Sequence, residues 1–188
     1  MTWQFGLFVG LLLATGAMRL VELAISVRRM RATPDGVVAE PKLFPVMALL
    51  HFGLVLGPLV EVYLLERPFV WALGGLAFAV LVAATVLRVW TLKTIGRAWN
   101  VRVVRPDDNA IATTGPYAWI RHPNYLVVIM EIAALPLLHT AWISAITLSI
   151  VNAAVLYQRI LTEEATLEKV PSWRAAMADR ARLLPGVF

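Results

Sequence analysis

The sequence predicts an all-α integral membrane protein of five transmembrane helices, with its N-terminus outside and its C-terminus cytoplasmic. Sixty per cent of the 188 residues are hydrophobic and only 15% are charged, where a soluble domain carries about half and a quarter. The mean hydropathy is +0.73. The apolar residues are also gathered into five stretches separated by polar turns.

Residues 3–25, 43–65 and 69–92 are each long enough to cross a hydrocarbon core of ~30 Å as a helix. The first lacks a basic leader and a cleavage site, so it reads as a retained span. Residues 125–138 are shorter and are expected to cross by borrowing polar flanks or by thinning the bilayer. Residues 141–161 form a full-length fifth span. Glu66-Arg67-Pro68 is a short turn that makes helices two and three neighbours. Only His139 and Thr140 separate helices four and five, which predicts a tight antiparallel hairpin. Residues 93–124 are the one long connection, and connections of that length are usually kept for function. Within it, residues 101–105 read as a short extended piece and Pro106-Asp107-Asp108-Asn109 as a turn. The chain reads as a single membrane domain, 1–188. Residues 1–92 are its three-helix part, and 93–188 hold the loop, the hairpin and a cytoplasmic tail.

Orientation follows from the basic loops. Arg28, Arg29, Arg31 and Lys42 lie between spans one and two. Lys93, Arg97, Arg102, Arg105 and Arg121 lie between three and four, and Lys169, Arg174, Arg180 and Arg182 lie in the tail. With five crossings all three groups share one side, and Arg67 stands alone on the other. The net charge of +5 is scattered over short loops, as suits an anionic leaflet; no nucleic-acid partner is implied. The absence of cysteine excludes disulfides, thiolate metal sites and cysteine nucleophiles. His51, His122 and His139 lack metal-ligand spacing. No Gly-x-Gly-x-x-Gly follows a strand, so a Rossmann cofactor site is not supported. Gly74-Gly75 reads as a place where helices pack closely.

Charges inside spans cost at least ~2.5 kcal/mol each on insertion scales, so they pair or face a wet cavity. Arg19 and Glu22, three apart, predict an intrahelical ion pair. Arg88 is placed to snorkel to the headgroups, with Glu131 two turns inside helix four and in need of a partner such as Arg19 or Arg88. On helix five, Asn152, Arg159 and Glu163 are seven and four apart and share one face at ~100° per residue. That face carries an amide, a guanidinium and a carboxylate in line, where a surface ion pair alone would leave Asn152 unexplained. His51 on helix two reads either as a packed or interfacial histidine or as a substrate-binding residue.

The densest chemistry lies in Gly115-Pro116-Tyr117-Ala118-Trp119-Ile120-Arg121-His122-Pro123-Asn124-Tyr125. Pro123 suits the first turn of helix four, so Arg121 or His122 stands beside free backbone N–H groups that favour an anion. Gly115-Pro116 supplies a turn. Tyr117, Trp119 and Tyr125 supply aromatic faces that attract cations, reinforced by Glu163. A ligand with a carboxylate and a cationic centre, such as S-adenosylmethionine, fits this set. An interfacial aromatic belt explains Tyr and Trp, but neither Gly115-Pro116 nor the imidazole.

At these residues the chain resembles the isoprenylcysteine carboxyl methyltransferase family. The pattern is Thr114-Gly115-Pro116-Tyr117, then Arg121-His122-Pro123-Asn124-Tyr125, then Arg159 and Glu163-Glu164, within residues 92–167. The resemblance implies a membrane-embedded, S-adenosylmethionine-dependent methyltransferase with a cytoplasm-facing cofactor pocket and a lipophilic or prenylated acceptor that enters from the bilayer of a bacterial inner membrane. It implies cofactor contacts from Gly115, Pro116, Tyr117, His122, Pro123, Tyr125, Glu163 and Glu164. Catalytic roles fall to Arg121, Arg159 and Glu163, and acceptor contacts to His51, Asn152 and Arg159. The N-terminal half, through Arg19-Leu20-x-Glu22-Leu23, Arg28-Arg29, His51 and Glu61-Val62, is similar to alkylpyrone or phenolic-lipid O-methyltransferases. The tail departs from the family: Val170-Pro171-Ser172-Trp173-Arg174 stands where a Phe-Gly-x-x-Tyr segment is common. Phospholipid N-methylation, a membrane reductase and a small-solute transporter are the competing functions. The sequence leaves the oligomeric state open.

Overall fold

The computed structural model describes residues 3–32, 43–96, 99 and 111–184. Its helices are α1 (Trp3–Ala32), α2 (Leu43–Leu64), α3 (Trp71–Ile95), α4 (Pro123–Leu137), α5 (Trp142–Leu167) and α6 (Pro171–Met177), with a 3₁₀ turn at Gly115–Ala118. The expected extended piece at 101–105 and the turn at 106–109 lie outside the described residues.

Four helices, α1, α2, α3 and α5, are long and apolar enough to cross a membrane, and α4 is shorter. Large side chains such as Leu20, Leu49, Phe52, Leu76 and Val86 are exposed on them, a surface that only a bilayer would cover. The protein is an integral membrane protein. Several boundaries move outward from the apolar stretches. Helix α1 continues through Arg28 and Arg29 because arginine is a good helix former, and Arg29 then reaches the carbonyls of Gly96 and Trp99. Helix α3 stops at Gly96, which takes φ 58° and donates its N–H to Leu92, a positive φ that glycine adopts without a Cβ penalty. Pro123 and Pro171 open α4 and α6, where a missing N–H costs nothing.

Helix α4 is the enclosed one. It packs on α3, α5 and α2, while α1 lies against α2. At ~1.5 Å per residue its 15 residues give only about 22 Å. The turn before it makes up the height. Gly115 abuts Thr94 and Trp90 at one end of α3, and the Leu138 carbonyl abuts Gly74 at the other. Gly74 therefore serves the close packing expected of it, whereas a side chain on Gly75 would meet open space. At the far end, His139 is ringed by Phe5, Phe8 and Phe69. The apolar core runs inward from there through Phe8, Leu12, Leu54, Ile132 and Leu135.

Four of the charges within the spans, Arg19, Glu22, Arg88 and Glu131, form one cluster. Arg19 bonds Glu22 at 2.7 Å and also Glu131. Arg88 bonds Glu22 at 2.7 Å and Glu131 at 2.8 Å. Arg88 thus does not snorkel: it is only 2% exposed, because two carboxylates inside the bundle compete successfully with the headgroups. Arg19 and Glu22 pair as expected, within a larger group. Glu131 takes both partners instead of one.

Glu61 does comparable work at the far end. The first residue before α5, Ala141, offers no side-chain cap. Glu61 instead accepts the N–H groups of Ile143 (3.1 Å) and Ser144 (2.7 Å) and the Ser144 hydroxyl (2.7 Å). A carboxylate is favourable at the positive end of a helix. Arg67 bonds the same carboxylate at 3.1 Å and lies over Trp142.

Removing one partner from a buried ion pair leaves an uncompensated charge and costs about 3–5 kcal/mol. Arg88→Met is therefore expected to lower thermal stability in detergent by that order. Arg88→Met combined with Glu131→Met keeps the Arg19–Glu22 pair and is expected to recover part of the loss. Equal melting temperatures for wild type and Arg88→Met would contradict this account of the cluster.

Candidate functional site

The 3₁₀ turn, the start of α4 and the end of α5 meet at the same end of the bundle as the C-termini of α1 and α3. The meeting is built by the C-terminal tail. The Arg121 N–H donates to the Ala181 carbonyl at 2.9 Å and the His122 N–H to the Arg182 carbonyl at 3.0 Å. Arg121 Nε donates to the Arg180 carbonyl at 2.7 Å, and Arg180 reaches back to the Thr113 and Tyr117 carbonyls. Glu164, buried on α5, receives Arg121 (3.1 Å), His122 Nε2 (3.2 Å) and Arg182 (2.9 Å). One carboxylate thereby fixes the loop, the helix start and the tail together.

Beside this junction lies a cavity of about 680 Å³. Tyr117, Arg121, His122, Asn124, Tyr125 and Glu163 line one part of it. Trp173 and Met177 of α6 close that part, packed with Tyr117 and Val170. The cavity continues between α1, α2 and α5, past Arg159, Asn152, Met47 and His51, to an apolar stretch walled by Leu13, Leu20, Phe52 and Val55.

Its polar wall is cross-linked. Tyr125 donates its hydroxyl to Glu163 and accepts Arg159 Nε at 2.6 Å. The Arg159 guanidinium lies 5.5 Å over the Tyr125 ring and also touches the Met47 sulfur. His122 stacks on Tyr125 at 5.3 Å, and Arg121 lies 5.7 Å over Trp173. Burial, with Glu163 nearby, pushes the Tyr117 phenol up from its ordinary value, so the hydroxyl remains a donor at physiological pH.

The structure brings Tyr117, Arg121, His122, Tyr125, Glu163, Arg159, Asn152 and His51 to this one cavity. Gly115, Pro116, Pro123 and Glu164 are not part of its lining. Pro116 and Pro123 are buried in the frame behind it, and Glu164 faces Arg121, His122 and Arg182. At the entry to α4, where free backbone N–H groups were expected to favour an anion, those of Arg121 and His122 are taken by the tail and those of Tyr125 and Leu126 by the His122 carbonyl. Sequence reasoning missed Met47, Trp99, Trp173 and Met177. For two of these a faint signal existed: Trp173 and Met177 are four apart in the tail, the spacing of one helix face.

The sequence model of the isoprenylcysteine carboxyl methyltransferase family matches residues 76–169. That span runs from α3 through α5 and holds the Gly115–Tyr125 stretch, Arg159 and Glu163. A curated relative, the uncharacterized protein YpbQ of Bacillus subtilis (strain 168), is 35% identical over 127 residues, 67% of this chain and 74% of the relative. The chain belongs to the isoprenylcysteine carboxyl methyltransferase family. It is therefore a member of a family of membrane methyltransferases. The family match does not reach α1, α2 or α6, so the wall formed by Arg19, Met47, His51, Trp173 and Met177 lies beyond it.

Because Glu164 joins three segments, Glu164→Gln is expected to loosen the tail. Hydrogen exchange of residues 178–182 should rise by at least about tenfold, the equivalent of losing ~1.4 kcal/mol of local stability. Unchanged exchange would show that the tail is held without this carboxylate.

Proposed function

We propose that the protein is an S-adenosylmethionine-dependent O-methyltransferase of a lipophilic acceptor. It works as a single five-span domain at the cytoplasmic face of a bacterial inner membrane. The observation that carries this reading is the single cavity that joins a polar, aromatic end to an apolar end between α1, α2 and α5. A soluble methyl donor and a lipid acceptor need such a shared space, each arriving from its own phase.

The residues present fit the cofactor. S-adenosylmethionine carries a carboxylate, an amine, a sulfonium and an adenine. Arg121 suits the carboxylate. Glu163 suits the positive groups, and the rings of Tyr117, Tyr125 and Trp173 suit both the cationic centre and the base. Asn124 Oδ1 and Trp99 Nε1, buried on residues of this wall, have no hydrogen-bond partner among the described residues. His122 holds Tyr125 by stacking. Gly115, Pro116, Pro123 and Glu164 shape the frame around these contacts. The volume lies within the ~300–1,000 Å³ usual for small-molecule sites.

When bound, the cofactor supplies an electrophilic methyl group on a sulfonium. The chain's contribution is alignment, which supplies several kcal/mol by itself, and charge stabilisation. Arg159 stands where the polar and apolar parts of the cavity join, braced by Tyr125, and would stabilise an acceptor oxyanion. Asn152, two turns along the same face, would orient the acceptor head. An oxygen acceptor is favoured over the amine of a phospholipid, because Arg121 and Arg159 would repel a cation. Both an isoprenylcysteine-type carboxylate and an alkylpyrone or phenolic-lipid hydroxyl meet this requirement.

The test is methyl transfer from labelled S-adenosylmethionine to lipid extracts, with calorimetry of cofactor binding in detergent. Arg159→Ala is expected to lower kcat/KM by ~10²–10³, as removal of an oxyanion donor does. Glu163→Ala is expected to weaken cofactor binding by about tenfold, the loss of one charge-assisted contact. Full activity in both variants would remove the site from consideration.

A further inference from the structure

Four groups at the cavity have the chemistry to take a proton. Three of them are engaged: Glu22 holds Arg19 and Arg88, His122 Nε2 faces Glu164 at 3.2 Å, and Glu163 accepts the Tyr125 hydroxyl. His51 differs. Its Nδ1 lies 2.7 Å from the Met47 carbonyl oxygen, one turn back on α2. A carbonyl only accepts, so Nδ1 carries the hydrogen in this contact and the neutral ring keeps its lone pair on Nε2. The side chain lines the cavity, and Nε2 is not among the enclosed, unpartnered atoms of the described residues. The only hydrogen bond of this ring among the described residues is the one to Met47. Met47 in turn touches Arg159 through its sulfur. His51 thus stands one helical turn, about 5.4 Å, from the Arg159 layer, on the apolar side.

We propose that His51 is the catalytic proton acceptor, and that the methyl acceptor is accordingly a weakly acidic hydroxyl on a lipid. The proposal rests on the methyltransferase reading of the cavity. A lone pair fixed on Nε2 receives a hydroxyl proton and repels a carboxylate, which is already anionic and needs no base. In the step, the acceptor O–H bond breaks and its proton passes to Nε2. The oxygen's electron pair forms the new O–C bond as the sulfonium S–C bond breaks, with that bond's electrons returning to sulfur. One positive charge leaves the sulfonium and one appears on the imidazolium, so the total is unchanged. The proton then departs to water with the products. The charged and titratable groups around His51 are Arg19 and Glu22 on α1, Arg88 on α3, Glu131 on α4, and those that share its cavity: Tyr117, Arg121, His122 and Tyr125 before and on α4, and Arg159 and Glu163 on α5. The first four of the charged set cancel pairwise within their own cluster.

The experiment uses the full chain in nanodiscs with two probes of equal chain length, a 4-alkylphenol and a fatty acid. His51→Asn keeps an amide N–H near the Nδ1 position but offers no base. It is expected to lower kcat on the alkylphenol by ~10²–10⁴, to abolish the rising limb of the pH profile, and to leave S-adenosylhomocysteine affinity unchanged. Nitrogen-15 NMR of the wild-type protein is expected to place the hydrogen on Nδ1 of His51. The proposal is overturned by an alkylphenol rate within about threefold of wild type, by a retained rising limb, or by the hydrogen on Nε2. Methylation of the fatty acid alone overturns the hydroxyl acceptor while leaving the methyltransferase reading intact. Absence of cofactor binding to the wild type overturns that reading itself, and NMR still decides the tautomer.

Discussion

The structure depends on four charges held below the bilayer surface. Arg19, Glu22, Arg88 and Glu131 come from three helices and sum to zero. Each would be costly alone in the membrane. Together they convert that cost into a constraint, because an uncompensated member is far less stable than the full set. Apolar side chains gain little from one another when the alternative neighbour is lipid. Directional contacts therefore carry the register between helices. Here they tie α1 to α3 and α4, and that tie sets one wall of the cavity, since Arg19 and Glu22 both line it.

The same device recurs at two other depths. At the far end Glu61 supplies α5 with the cap its own sequence lacks. At the site end Glu164 gathers Arg121, His122 and Arg182. In each case a carboxylate on one helix accepts donors from a segment remote in sequence. The cavity lies between the middle cluster and the site end, lined by residues of α1, α2, α4 and α5. Its position follows from these connections and from Tyr125, which joins Glu163 to Arg159 across α4 and α5.

Much of this was legible residue by residue. The five apolar stretches, the two short turns and the polar face of α5 follow from local length, hydropathy and helical spacing, and each has its counterpart in the structure. The Gly115–Tyr125 stretch was legible as chemistry because its residue types are unusual at a helix start. Partner choice was not. Arg88 is placed equally well to reach headgroups or carboxylates, and only the nearness of Glu22 and Glu131 decides between them. Glu163 and Glu164 are adjacent in the chain, but a helix turns by ~100° per residue, so one faces Tyr125 and the other the tail. Trp173 and Met177 sit in a segment whose polar flanks concealed its place at the cavity.

By itself the sequence determined that this is a membrane-embedded, helical chain with its reactive groups at one end, because hydropathy and helical period act within a few turns. It also carried the motif by which the family is recognised. Tertiary structure alone decided which charges cancel and which residues form one cavity. It also placed the His51 side chain at that cavity. Those outcomes depend on distances between segments as far as 112 residues apart, which no local pattern encodes.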